Sequence, residues 1–171
     1  MSRKLVMSRR VFLAFCTSTL LLVSAVRADA QELKVGSLLA LTGPAAFIGQ
    51  DMKRGLELAV DDINAAGGVL GKPVKLFLYD SESDSAKGVS AIKRILSQDK
   101  VDVVVGGGTV SGVALAVRPI IEAAPRLFIA TEGSMEIVNP VQDRKLTFKT
   151  TPDDTALRGR ILDFLTKKGA K

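Results

Sequence analysis

The sequence predicts an α/β fold, a parallel sheet with helices on both faces. Three observations predict it. From residue 33 onward, short apolar runs of four to nine residues alternate with longer stretches whose apolar residues recur every three to four positions. The segments that join them are short. The runs are apolar on consecutive positions rather than alternate ones, as in strands buried on both sides. Strand–helix–strand order of this kind builds right-handed βαβ units.

The first strand is expected over residues 33–41 (LKVGSLLAL). A helix follows over 48–66, with Met52, Leu56, Leu58, Ala59 and Ile63 at helical spacing and Asp51, Lys53, Arg54, Glu57, Asp61 and Asp62 between them. Gly67 and Gly68 end it, as glycine does where a helix closes in a left-handed cap. Residues 74–79 (VKLFLY) form the second strand, and 85–98 the second helix, with Val89, Ile92, Ile95 and Leu96 on one side. The third strand is expected at 101–105 (VDVVV). The third helix is expected at 110–124, apolar all round and therefore well covered. A fourth strand covers 127–130 and a short fifth one 146–149. A last helix over 152–168 opens on Pro152, Asp153 and Asp154, residues that suit a helix N-terminus.

The first 30 residues have a different character. Arg3, Lys4, Arg9 and Arg10 precede an apolar run over 11–26, which closes on Ala28-Asp29-Ala30. A basic start, an apolar run too short to span a bilayer comfortably and a small-x-small ending predict a signal peptide cleaved after Ala30. Ser8-Arg9-Arg10-Val11-Phe12-Leu13 also matches a twin-arginine export signal. The expected division is a leader over 1–30 and a ligand-binding lobe over 31–171. Of the net charge of +6 on the whole chain, only +2 remains on 31–171, because five basic residues and one acid lie in the leader. The basic character is thus no argument for nucleic acid as a partner. The single cysteine, Cys16, lies in the leader, so the mature part has no thiol or disulfide chemistry.

Several chemistries fail on residue type. The chain has no histidine, which removes Ser-His-Asp and Cys-His triads and most zinc sites. No metal site or cofactor is expected. Gly106-Gly107-Gly108 follows a strand, but Ser111 stands where a dinucleotide fingerprint needs its third glycine. The only Gly-Lys pair is followed by Pro73, which lacks the hydroxyl and N–H that a phosphate loop requires. Asp80-Ser81-Glu82-Ser83-Asp84 starts like a calcium loop, but Ser85 and Ala91 replace its glycine and glutamate, which leaves a solvated loop.

A binding surface remains. In parallel sheets ligands sit beyond the carboxyl ends of the strands, here the loops after strands one, three and four. After strand three, small residues lead into a helix N-terminus, a natural anion site, with Thr109 and Ser111 adding hydroxyls. After strand four, Thr131-Glu132-Gly133-Ser134 offers hydroxyls, exposed backbone and a carboxylate. After strand one, Thr42-Gly43-Pro44 turns the chain and presents Phe47.

The sequence resembles periplasmic binding proteins of the branched-chain amino-acid (leucine/isoleucine/valine) type, the type I solute-binding fold. The likeness rests on Val35-Gly36, Leu41-Thr42-Gly43-Pro44, the piece GLELAVDDINAAGG from Gly55 to Gly68, and Gly71-Lys72-Pro73-Val74. It continues through Asp80, the run from Val101 to Gly107, Ser111-Gly112-Val113-Ala114, the run from Thr150 to Asp154, and Gly159. It implies the first of two α/β lobes that close on a ligand and deliver it to the membrane permease of an ABC transporter, without catalysis. It also implies that Ser111 holds the ligand carboxylate, that Gly133 and Ser134 form the second contact loop, and that Phe47 flanks the ligand. The family's usual Gly-Pro-x-Ser-Ser is here Gly107-Gly108-Thr109-Val110-Ser111, one hydroxyl fewer. Its Ser-Pro-x-Ala-Thr is Ala130-Thr131-Glu132-Gly133-Ser134, where Glu132 brings a charge. The alternatives are the ligand-sensing module of a receptor and an enzyme of doubly wound fold whose catalytic half lies elsewhere. The ending Lys167-Lys168-Gly169 reads as a helix leading into a further strand, hence an incomplete protein whose second lobe would supply the opposing wall. A lone first lobe is expected to bind weakly or not at all, since pockets cover most of a ligand's surface.

Overall fold

The computed structural model describes residues 31–169. The leader, its cleavage site, the twin-arginine motif and Cys16 lie outside the described residues. Five strands form one parallel sheet: β1 (Leu33–Leu39), β2 (Val74–Asp80), β3 (Val103–Gly107), β4 (Leu127–Ala130) and β5 (Thr147–Lys149), in the order β2-β1-β3-β4-β5. The helices between them are α1 (Ala46–Ala65), α2 (Ser85–Arg94) and α3 (Ser111–Ala123), and α4 (Asp154–Lys167) follows β5. The chain leaves β1 toward β2 on one side, then returns past β1 to β3 on the other. Right-handed crossovers therefore put α1 on one face and α2 and α3 together on the other.

The core lies between the sheet and the α2–α3 layer. Leu38, Val104 and Phe128 from the strands meet Ile92, Ile95, Val113, Val117 and Ile121 from the helices, all essentially inaccessible. Burying each such side chain contributes about 1.5–3 kcal/mol. The two helices approach closely because Gly88 faces Val113, where an added Cβ would come within 2.5 Å of a methyl group.

The piece Asp-Ile-Asn-Ala-Ala-Gly-Gly has a physical role here. Asn64, near the end of α1, donates to the Val74 carbonyl (2.9 Å) and accepts from the Val74 N–H (2.7 Å), which pins the start of β2 to that helix. Gly68, at φ +79°, lies so near the Lys72 carbonyl that a Cβ would sit 2.1 Å from it. No side chain fits there.

The structure moves several expected boundaries, most of them by one or two residues. Strand three begins two residues later than its apolar run, because Val101 drops into the core and Asp102 accepts from the Lys34 N–H (2.9 Å) in place of a strand carbonyl. It also runs on to Gly107. The β1–β3 register shifts between Ser37 and Leu38, and Gly106, at φ +80°, absorbs the extra residue. The second helix stops being α-helical at Arg94 and continues as a wider π-type turn, Ile95–Asp99, before Lys100 adopts a left-handed conformation. Helix α3 is one-sided rather than covered all round, with Gly112, Pro119 and Ala123 exposed opposite Val113, Val117 and Ile121. Two short 3-10 turns, Met135–Ile137 and Val141–Asp143, join β4 to β5 where no element was expected.

Candidate functional site

The carboxyl ends of the parallel strands place three loops at one end of the sheet. The loop after β1 is held by Asp80, the last residue of β2. Its carboxylate accepts from the Leu41 N–H (2.8 Å), the Thr42 N–H (3.2 Å), the Thr42 hydroxyl (2.6 Å) and the Glu82 N–H (2.7 Å). Burial pushes the Asp80 carboxyl up, but the Thr42 hydroxyl and the Glu82, Thr42 and Leu41 amides together hold it below the usual carboxylate range. Ser83 Oγ accepts from the Ala45 N–H at 3.1 Å. Fully buried Ser81 donates to the Gly108 carbonyl at 3.1 Å. The segment from Asp80 to Asp84 is therefore not simply a solvated loop. Asp80, Ser81 and Ser83 turn inward and tie the first loop to the third, while Asp84 caps α2 by accepting from the Lys87 N–H (2.8 Å). Acids and hydroxyls just past a parallel strand are the signal, and it applies to strand two as much as to strands one, three and four.

The loop after β3 turns on Gly108 (φ +101°) and Thr109 (φ +72°) and enters α3 at Ser111. Thr109 is β-branched and sits in a region that favours glycine. Its Oγ1 accepts from the Ala40 N–H at 2.9 Å, which spends this hydroxyl on the neighbouring strand.

The loop after β4 reaches across to it. Ser134 donates its N–H to Ser111 Oγ at 3.3 Å, so these two serines do meet. Ser134 Oγ accepts from the Glu136 N–H at 3.3 Å. Gly133 packs on the start of α4, where a Cβ would lie 2.1 Å from Asp154 Oδ1. Glu132 turns away from solvent and is 2 % exposed. Its Oε1 accepts from the N–H groups of Gly107 (2.7 Å) and Thr109 (3.1 Å), and its Oε2 from the Thr131 N–H (3.0 Å). Thr151 donates to the Glu132 carbonyl at 2.7 Å. Phe47, in the first turn of α1 at the same end of the sheet, is 73 % exposed.

Ser111, Gly133, Ser134, Thr109 and Glu132 thus form one connected patch, with Phe47 free at its side of the first loop. The outer rim carries the Ser111 hydroxyl and the Ser111 and Gly112 amides that open α3, while the next two amides, of Val113 and Ala114, already donate to the Val110 carbonyl at 3.0 and 3.2 Å. That arrangement offers hydrogen bonds and a favourable helix dipole to a small polar or anionic group. Ser111 Oγ faces a backbone N–H rather than a base, so it is placed as a hydrogen-bonding group and not as an activated nucleophile.

Known proteins share this fold and much of this sequence. The family described as periplasmic binding protein matches residues 32–171. The Leu/Ile/Val-binding protein homolog 7 of Brucella melitensis biotype 1 is 31% identical over 150 residues, 86% of this chain and 36% of that protein. The Leu/Ile/Val-binding protein BraC3 of Rhizobium johnstonii is 40% identical over 90 residues, 53% of this chain and 24% of that protein. The branched-chain amino acid transporter substrate binding protein LivJ from Streptococcus pneumoniae, solved in complex with isoleucine, superimposes with a TM-score of 0.67 at 29% identity, over 72% of this chain and 35% of that one. The chain spans between 24% and 36% of the length of these relatives. A match that runs through nearly every described residue, on a sheet with this strand order, settles the kinship: the chain belongs to the periplasmic binding protein family and has its type I fold.

Proposed function

We propose that the chain is the first lobe of an exported solute-binding protein that captures a branched-chain or related amino acid, or another small carboxylate, and hands it to the permease of an ABC transporter. It acts by binding and closure, without a chemical step. The observation that carries this reading is the meeting of Ser111 and Ser134 at the carboxyl ends of β3 and β4, beside the N-terminus of α3. A ligand carboxylate placed there would accept from the Ser111 hydroxyl and the first amides of α3, with Gly133 and Ser134 at its flank and Phe47 over its apolar part. A second lobe would supply the opposing wall and the acidic partner of an ammonium group. The leader over 1–30, cleaved after Ala30, directs the protein to the periplasm, by the twin-arginine route if Arg9 and Arg10 act as a pair.

The test is ligand-induced stabilisation of the exported protein. At 100 times its dissociation constant, isoleucine, leucine, valine or a related carboxylate should add about 2.7 kcal/mol of stability. Ser111→Ala should weaken that binding by about 1–3 kcal/mol while leaving the fold intact. A panel of amino acids and small carboxylates that leaves the melting temperature unmoved would refute the ligand class. Unchanged affinity in Ser111→Ala would remove Ser111 from the contact set.

A further inference from the structure

We infer that Glu132 is a built-in carboxylate occupying a backbone anion cradle at the floor of the mouth, which closes those amides to any ligand anion. The cradle is a product of backbone handedness. Gly106, Gly108 and Thr109 all have positive φ (+80°, +101° and +72°). The N–H groups of Gly107 and Thr109 both point at Glu132 Oε1, and the Thr131 N–H points at Oε2. The Gly108 N–H between them turns the other way, to the Leu38 carbonyl at 2.8 Å, so the alternate amides of Gly107 and Thr109, with Thr131 from the next loop, form a concavity suited to an anion. The Thr131 hydroxyl adds a longer contact to Oε1 at 3.3 Å.

The group that fills the cradle is as buried as the core around it, at 2 % exposure. Its charge is met by amides rather than by a cation, since none of the ion pairs among the described residues includes Glu132. A buried carboxylate with neither a cation nor amide donors would be strongly disfavoured, so the amides and the side chain require each other. The chain thus has two tiers of donors at the same strand ends. The lower tier is satisfied internally. The upper tier, the Ser111 hydroxyl and the Ser111 and Gly112 amides at the start of α3, is left for a ligand. For ligand choice, which rests on the function proposed above, Glu132 is a specificity determinant: a ligand carboxylate is confined to the upper tier, and a second anionic group has no donors below it.

Chemical rescue tests the cradle without any transport ligand. Glu132→Ala leaves the buried Gly107 N–H and the part-buried Thr109 and Thr131 N–H groups without their acceptor and should lower the melting temperature by several degrees. Sodium formate, a free carboxylate of the right size, should restore about half or more of that loss with saturable dependence. Sodium chloride at equal ionic strength should not, and the wild-type protein should gain nothing from formate beyond the chloride effect. Glu132→Gln, which keeps the shape and one acceptor oxygen, is the companion variant if the alanine protein does not fold. It should fold with reduced stability and show no formate rescue. A Glu132→Ala protein as stable as wild type, a Glu132→Gln protein as stable as wild type, or an alanine variant that formate does not restore would each overturn the proposal. An isoleucine effect, present or absent, bears only on the function proposed above and leaves this outcome separate.

Discussion

Gly49 shows how far single residues set the mouth of the sheet. Helix α1 starts just after β1 and presses its first turn against the strand end. A Cβ on Gly49 would lie 1.9 Å from the Ala40 carbonyl oxygen, well inside contact distance. Gln50 donates to the Leu41 carbonyl at 2.8 Å and holds the same approach. Gly49→Ala should therefore destabilise the lobe by about 1–3 kcal/mol or more through forced displacement of α1. Urea titration checks it, and wild-type stability would mean that the helix shifts freely. Thr109 carries the opposite burden, since its left-handed backbone costs about 1–3 kcal/mol and is held by the bonds to Ala40 and Glu132. Residue type located the patch: small residues and hydroxyls after strands three and four do converge. Residue type did not tell that Glu132 points inward, because side-chain direction depends on amides contributed by a strand 25 positions away in sequence.

At the scale of elements, the apolar period identified five strands and four helices, and the departures from it are local. The π-type turn after α2 and the late start of β3 arise because Ile95 and Val101 are drawn under β1 at Gly36, where there is no side chain to keep them out. Packing across the sheet therefore overrides the apolar run. The link between β2 and the first loop has a pH signature. The folded Asp80 carboxyl titrates below its ordinary value of 3.8. Its contribution is fully present above that value and fades as pH falls through the lower folded one. Asp80→Asn should lower stability at neutral pH and flatten the fall in stability below about pH 4. Denaturant midpoints at pH 7, 4 and 3 read this directly, and parallel acid profiles for the two proteins would exclude the role.

For the whole molecule, the described residues form one sheet with a complete core on the α2–α3 side and much apolar surface elsewhere. Phe148 is 54 % exposed, and Leu157, Ile161, Leu162, Phe164 and Leu165 of α4 are all exposed. No described helix is long and apolar enough to cross a membrane. The twin-arginine route proposed above would carry the protein after it folds, which makes export a test at the scale of the whole chain. Replacing Arg9 and Arg10 together by Lys should hold the protein in the cytoplasm as uncleaved precursor, measured by fractionation. Normal processing of that variant would assign the leader to the general secretory route.

The sequence alone determined the parallel α/β class, the strand ends at which to look, and the family. These follow from local quantities: the period of apolar residues, glycine at caps and turns, and short motifs read in order. Tertiary structure alone decided which donors at those strand ends are satisfied internally. Ser111 meets Ser134, Asp80 clamps the first loop and Glu132 fills the amides below them only because strands far apart in sequence end side by side. Hydrogen bonds act over about 3 Å, so their partners are chosen by register and twist rather than by neighbours in the chain.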